Sequence, residues 1–142
     1  MGKLIQRLKD ASRSGVYRVA RADEVLDAVR GSRLRVSRVS LDGVRTKDEL
    51  LGRVAHGLEF PAWFGGNWDA LEDCLCDLAW LDGDGQVLLF AGSSALAADD
   101  LGVFTDILSS SAQYWVGRGR PFFALFVEGA GSLPPLIRDK TM

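Results

Sequence analysis

Phe60-Pro61-Ala62-Trp63-Phe64-Gly65-Gly66-Asn67-Trp68-Asp69-Ala70-Leu71-Glu72-Asp73-Cys74-Leu75 is the stretch from which the rest of the chain is read. Pro61 and the Gly65-Gly66 pair force a loop. Asn67 has the side chain of a helix N-cap, and the spacing beyond it predicts a helix to about Leu81. With Trp68 at zero on a wheel of about 100° per residue, Glu72, Cys76, Asp69, Trp80, Asp73 and Asp77 fall within one arc of about 140°. Ala70, Cys74, Leu78, Leu71, Leu75 and Trp68 fill the other side, so the helix is amphipathic. Its acidic arc has no base of its own, and carboxylates at i, i+4 repel each other mildly.

The surrounding sequence sharpens that imbalance. No lysine or arginine lies between Arg53 and Arg118, yet the interval holds ten carboxylates. Residues 1–53 carry 13 Lys/Arg against 7 Asp/Glu, so a net charge of −2 conceals a segregation of sign. A face of acid beside Trp63 and Phe64 has the composition of an interface for a cationic partner. A solvated face is the simpler reading of an acidic helix; the aromatic loop is what argues against it. One of Trp63 and Phe64 is expected to roof the core instead.

The other elements follow from periodicity and punctuation. Residues 1–14 are basic and read as a loosely docked arm. A short strand is expected at 16–20 and a helix at 22–30, ending at Gly31. Leu34 to Leu41 reads as a strand. Thr46 and Glu49 form a capping box for a helix to residue 58, with Leu50, Leu51, Val54, Ala55 and Leu58 as its stripe. Gln86 to Ala91 and Phe122 to Val127 are continuous apolar runs, as expected of strands covered on both faces. Between them, Ala98 to Trp115 reads as a helix with Leu101, Phe104, Ile107, Leu108 and Tyr114 toward the core. Alternating strands and helices imply an α/β fold with a mainly parallel sheet.

The 142 residues fit one domain. No run reaches the roughly 18 apolar residues of a membrane span, and the N-terminus lacks the pattern of a signal peptide. A cytoplasmic protein without membrane contact is expected. The two cysteines, Cys74 and Cys76, point about 200° apart on a helix and read as reduced thiols.

The run at 60–75 resembles the signature of the barstar family, intracellular inhibitors of small bacterial ribonucleases. The shared pattern is Phe60-Pro61, Trp63-Phe64-Gly65, Asn67, Asp69-Ala70-Leu71 and Asp73-Cys74-Leu75, without a gap. The resemblance covers about residues 34–128, leaving 1–33 as an N-terminal β/α extension and 129–142 as a tail. It implies a small three-stranded parallel sheet packed with helices. It also implies that Trp63, Gly65, Asn67, Asp69 and Asp73 touch the enzyme, with Asp73 in the pocket that binds the scissile phosphate. Phe64, Glu72, Asp77 and Trp80 join this contact set from the acidic and aromatic pattern.

The chain departs from the family at two places. Barstar has a tryptophan where Glu72 stands here, and it uses an acid from a later helix where Ser109-Ser110-Ser111 offers only hydroxyls. The fold expectation is unaffected, but a different target nuclease is expected, with Trp68 and Trp80 in a relocated contact set. The partner is expected to be a basic ribonuclease or related toxin in a one-to-one complex. A barstar-fold regulator of a non-nuclease is the alternative.

Other chemistries fit less well. Asp69, Glu72 and Asp73 form a single-helix cluster with no second acidic set and no neighbouring base, which argues against a metal or acid–base site. Gly65-Gly66 lacks a nucleotide-binding context. His56, the only histidine, has no nucleophile beside it and reads as structural. Arg33, Arg35 and Arg38 crowd one strand, but a pI of about 5.4 and the lack of a recognition motif argue against nucleic-acid binding. Those arginines are expected to neutralise part of the acidic segment or sit in solvent. No cofactor and no enzymatic activity are expected.

Overall fold

The computed structural model describes residues 2–128 and 133–136. Its centre is a four-stranded, wholly parallel sheet in the order β1-β4-β3-β2, formed by β1 (Gly15–Val19), β2 (Leu34–Ser40), β3 (Gly85–Ala91) and β4 (Phe122–Val127). The expected three strands are β2, β3 and β4. The fourth, β1, comes from the N-terminal extension and pairs with β4 in the register Val16 to Ala124.

The helices are α1 (Gly2–Lys9), α2 (Ala22–Val29), α3 (Lys47–Gly57), α4 (Trp68–Leu75) and α5 (Ala98–Gly117). Period-two alternation along the central strands divides the core. Leu88, Phe90, Phe122, Ala124 and Phe126 face a cluster completed by residues of α3, α4 and α5, including Leu50, Leu71 and Phe104. Val87, Leu89, Phe123 and Leu125 face the other side, where Leu8 of α1 and Val25 and Val29 of α2 cover them. The apolar runs are therefore buried on both faces, as their composition demanded.

Three expectations change. Residues 2–9 form a helix rather than a loose arm, because Leu4, Ile5 and Leu8 make a short apolar stripe that lies on the second cluster, with Leu8 fully buried. Tyr114 is exposed and Ser111 is buried in its place, its hydroxyl donating to the Ile107 carbonyl at 2.9 Å. That bond within the helix lets a polar side chain enter the core without an unmet donor. Of the expected tail, residues 129–132 and 137–142 lie outside the described residues. Residues 133–136 run beside β1, with Arg18 N–H donating to the Pro134 carbonyl and Leu136 N–H to the Arg18 carbonyl.

α3 begins as its sequence requires. Thr46 accepts from Glu49 N–H, and the Glu49 carboxylate accepts from Thr46 N–H and Arg45 N–H. Those backbone donors hold the Glu49 carboxyl below its ordinary pKa. At Gly57 α3 comes so close to β2 that a Cβ would sit 2.7 Å from a Val39 methyl. Among the described residues no helix is long and apolar enough to cross a membrane.

Candidate functional site

The link from α3 to α4 is built around an aromatic cluster. Phe60 contacts Phe64 edge-on at 4.9 Å between ring centroids and Trp80 at 6.0 Å, and Trp63 meets Trp80 at 6.3 Å. The Trp80 indole N–H donates to the Leu58 carbonyl at 2.9 Å, tying the cluster to the end of α3. Phe64 packs against the core, whereas Trp63 is 59% exposed, the most exposed large apolar side chain among the described residues. Of the two, Phe64 is the roof and Trp63 stands in solvent. Gly66 has φ +75, a conformation that side chains with a Cβ rarely adopt, and it turns the chain into α4.

Asn67 caps α4 through a 2.7 Å bond from Ala70 N–H to its Oδ1. No bond from its Nδ2 occurs among the described residues, so that amide can still donate outward. Asp69 and Asp73 are exposed and Glu72 is half-buried. The three ion pairs among the described residues are Arg30–Asp27, Arg33–Asp84 and Arg35–Glu59, and none involves a carboxylate of α4. Arg33 and Arg35 thus neutralise Asp84 and Glu59, while Arg38 is exposed. Trp68, placed in a relocated contact set, is half-buried against the core.

α4 ends six residues before its expected limit. The Asp77 carboxylate accepts from Ala79 N–H at 3.2 Å, a local turn that competes with helix. Leu78 follows in the left-handed region, φ 51, and buries its side chain against the core. Asp77 and Trp80 therefore lie on the segment after the helix. Asp77 stays exposed, and Trp80 backs Trp63 from below. The structure brings Trp63, Phe64 and Trp80 into one cluster, with Asn67, Asp69, Glu72 and Asp73 following on α4.

Two contacts that organise this region carry no local sequence signal. Phe60 is the platform on which Phe64 and Trp80 both rest, and Trp115 donates its indole N–H to the Leu75 carbonyl at 2.8 Å, closing the end of α4. Burial pushes the Cys74 thiol up to about 11, with Asp73 and Asp77 adding to the shift. Cys76 is also raised by burial, against the opposing effect of a hydrogen bond with Ser111. Both cysteines are free thiols. No group of three or more His, Cys, Asp or Glu residues among the described residues is arranged to hold a metal.

The order β2-α3-α4-β3-α5-β4 and an acidic helix behind an aromatic loop have a counterpart among known proteins. The family model Barstar (barnase inhibitor) matches residues 34–127. The chain belongs to the barstar family. The matched span runs from the first residue of β2 to the last of β4, and the barstar family is one of barnase-type ribonuclease inhibitors rather than enzymes. Within this barstar-family span lie the aromatic loop and α4, whereas α1, β1 and α2 precede it. No curated protein matches the chain.

Proposed function

We propose that this protein binds a cationic bacterial ribonuclease or related toxin in a one-to-one complex in the cytoplasm and blocks its active site. The observation that carries this reading is the juxtaposition of Trp63, largely in solvent, with the carboxylates of α4, none of which forms an ion pair among the described residues. A ribonuclease concentrates cations to hold its phosphate substrate. Asp73, in the second turn of α4, takes the place of that phosphate through charge-assisted hydrogen bonds to Arg, Lys or protonated His. Asp69 and Glu72 surround it with negative potential that speeds encounter. Asn67 donates from Nδ2, and Trp63 and Phe64 present the aromatic edge of the plug.

Gly65 supports the same reading. It is exposed, and a Cβ there would make only ordinary contacts at 3.7 Å. The fold therefore tolerates a side chain at Gly65, and close approach by a partner supplies a reason for glycine. The target differs from that of barstar itself, since Glu72 adds a charge where barstar has an aromatic ring. The Ser109–Ser111 segment supplies no acid, and its Ser111 is buried.

The test is capture from lysate of the source cell on immobilised protein, alongside the Asp69→Ala/Asp73→Ala double variant. A nuclease retained by the parent protein alone, and silenced by it in an RNA-cleavage assay, is the expected result. A non-nuclease retained in the same acid-dependent way would keep the surface and replace the role.

A further inference from the structure

The chain leaves α3 for the aromatic loop through a left-handed residue that carries a side chain. Phe60 N–H donates to the Ala55 carbonyl at 2.9 Å and Glu59 N–H to the His56 carbonyl at 3.3 Å. These are the paired bonds of a Schellman turn, with Glu59 at its left-handed position, φ 56. The Glu59 carboxylate accepts from Arg35 Nη2 of β2 at 3.2 Å. We infer that Glu59 and Arg35 are positioning residues for the aromatic loop, an ionic latch that sets where Phe60 to Phe64 depart from α3; what the loop is positioned for rests on the inhibitor reading above.

The backbone of Glu59 is the first reason. Glycine is the usual residue at the left-handed position of such a turn, because a Cβ there crowds the following carbonyl. Leu78 adopts the same conformation and buries its side chain in the core. Glu59 has no such compensation, since its side chain is 65% exposed. A strained residue persists only where its surroundings hold it. The side-chain contact that holds this one is the bond from Arg35.

The setting of Arg35 is the second. Exposed ion pairs are usually weak because two long side chains must be immobilised. Arg35 is already held on the sheet, in register with Gln86 of β3, and its side chain is 29% exposed. Gly83 clears space for it, since a Cβ at Gly83 would lie 2.9 Å from the Arg35 Cβ. Its Nε is buried without a partner, which leaves Glu59 as the one hydrogen-bond acceptor of the guanidinium among the described residues. The pair thus joins the sheet to the residue just before Phe60, on which Phe64 and Trp80 rest. Trp80 returns to the same helix end through the Leu58 carbonyl and backs Trp63. A shift at Glu59 therefore passes through two rings to the exposed indole.

The latch is tested on the free full-length chain, by hydrogen exchange at the Phe60 amide and the Trp80 indole and by the ¹H–¹⁵N NOE of the Trp63 indole. In Glu59→Gly a latch and a plain helix cap predict opposite results. Glycine is the better cap, so a cap alone would slow Phe60 exchange or leave it unchanged, with Trp63 unaffected. A latch predicts exchange at Phe60 and Trp80 roughly 1.5- to fivefold faster, the range set by the strength of such an ion pair, and a lower NOE at Trp63. Arg35→Met keeps the packed stem and removes the charged head, so it is expected to loosen the loop equally, and the double variant no further. Glu59→Gln keeps an acceptor and is expected to recover part of the order. Slower Phe60 exchange in Glu59→Gly, or a Trp63 indole unmoved in Arg35→Met, overturns the inference. Asp73-dependent nuclease binding with an unmoved loop would sink the latch alone, and a loop that loosens in a protein that captures no nuclease would sink the inhibitor reading alone.

Discussion

Replacing Leu8 with alanine measures whether α1 belongs to the fold or merely rests on it. Leu8 is 0% exposed and shares a cluster with Val25, Val29, Phe123 and Leu125. Truncating a fully buried leucine costs about 2–5 kcal/mol, the lower values applying where neighbours can collapse into the space. α1 is a short helix at the chain's beginning and can shift toward the sheet, so a loss of about 2–3 kcal/mol is expected. For a domain of this size that lowers Tm by roughly 4–12 °C. The assay is a urea titration followed by tryptophan fluorescence and far-UV circular dichroism together. Trp63, Trp68, Trp80 and Trp115 are the only tryptophans. Trp68, Trp80 and Trp115 pack on the opposite cluster, and Trp63 on Trp80. Their fluorescence therefore reports α1 only if the two layers unfold as one unit. Coincident transitions with a lowered midpoint and an unchanged slope are expected. A loss below about 0.5 kcal/mol, the range of ordinary surface substitutions, would refute the integral role of α1.

The proposed binding face makes sharper demands on affinity than on stability. Asp73→Ala and Asp69→Ala are expected to weaken nuclease binding by about 2–5 kcal/mol each, as for truncated interfacial charge pairs, while Arg38→Ala does little; equal small losses at all three would reject the surface. Asn67→Ala is expected to lower unfolding free energy by about 0.5–2 kcal/mol through loss of the cap. Gly65→Ala should leave thermal stability nearly unchanged yet weaken the complex, and a large drop in Tm with intact binding would invert that assignment. The Cys74 thiol, raised to about 11 from 9.0, loses its proton more readily in the unfolded chain. Its contribution to stability is thus complete below about pH 9 and is lost as pH rises toward about 11, a decline that Cys74→Ala should lessen in urea titrations.

Residues whose structure is set by near neighbours were legible in the sequence. Thr46 and Glu49 cap α3, Asn67 caps α4, and the runs at 86–91 and 122–127 are strands buried on both faces, each from a signal only a few residues long. The acidic composition of α4 was legible too, but its length was not. Asp77 stops the helix with a turn to Ala79, and Leu78 adopts a left-handed conformation to reach the core, a choice settled by packing. The indoles of Trp80 and Trp115 find carbonyls 22 and 40 residues away, separations on which helical periodicity is silent. α1 gives only a weak signal because its apolar stripe is three residues embedded in a basic segment.

The division of labour between the two layers follows from those buried runs. A strand with large side chains at consecutive positions needs cover on both faces, or it exposes the surface that drives aggregation. The family-matched span places α3, α4 and α5 on one face, and Val87, Leu89, Phe123 and Leu125 on the other are covered by residues from outside it, Leu8, Val25 and Val29 before Leu34 together with Leu136. The N-terminal layer thus contributes to folding on the face opposite α4. The aromatic loop and α4 are anchored through Leu71, Cys74 and Leu75, which are fully buried, while Asp69 and Asp73 point outward. Substituting the outward residues removes no core contact and relieves repulsion among the acids, so it costs the fold little. On the proposed reading, a docked cationic partner would relieve that same repulsion, so the charge that slightly weakens the free protein would favour the complex. A surface of this kind can change its target through Glu72 or Asp77 without disturbing the sheet beneath it.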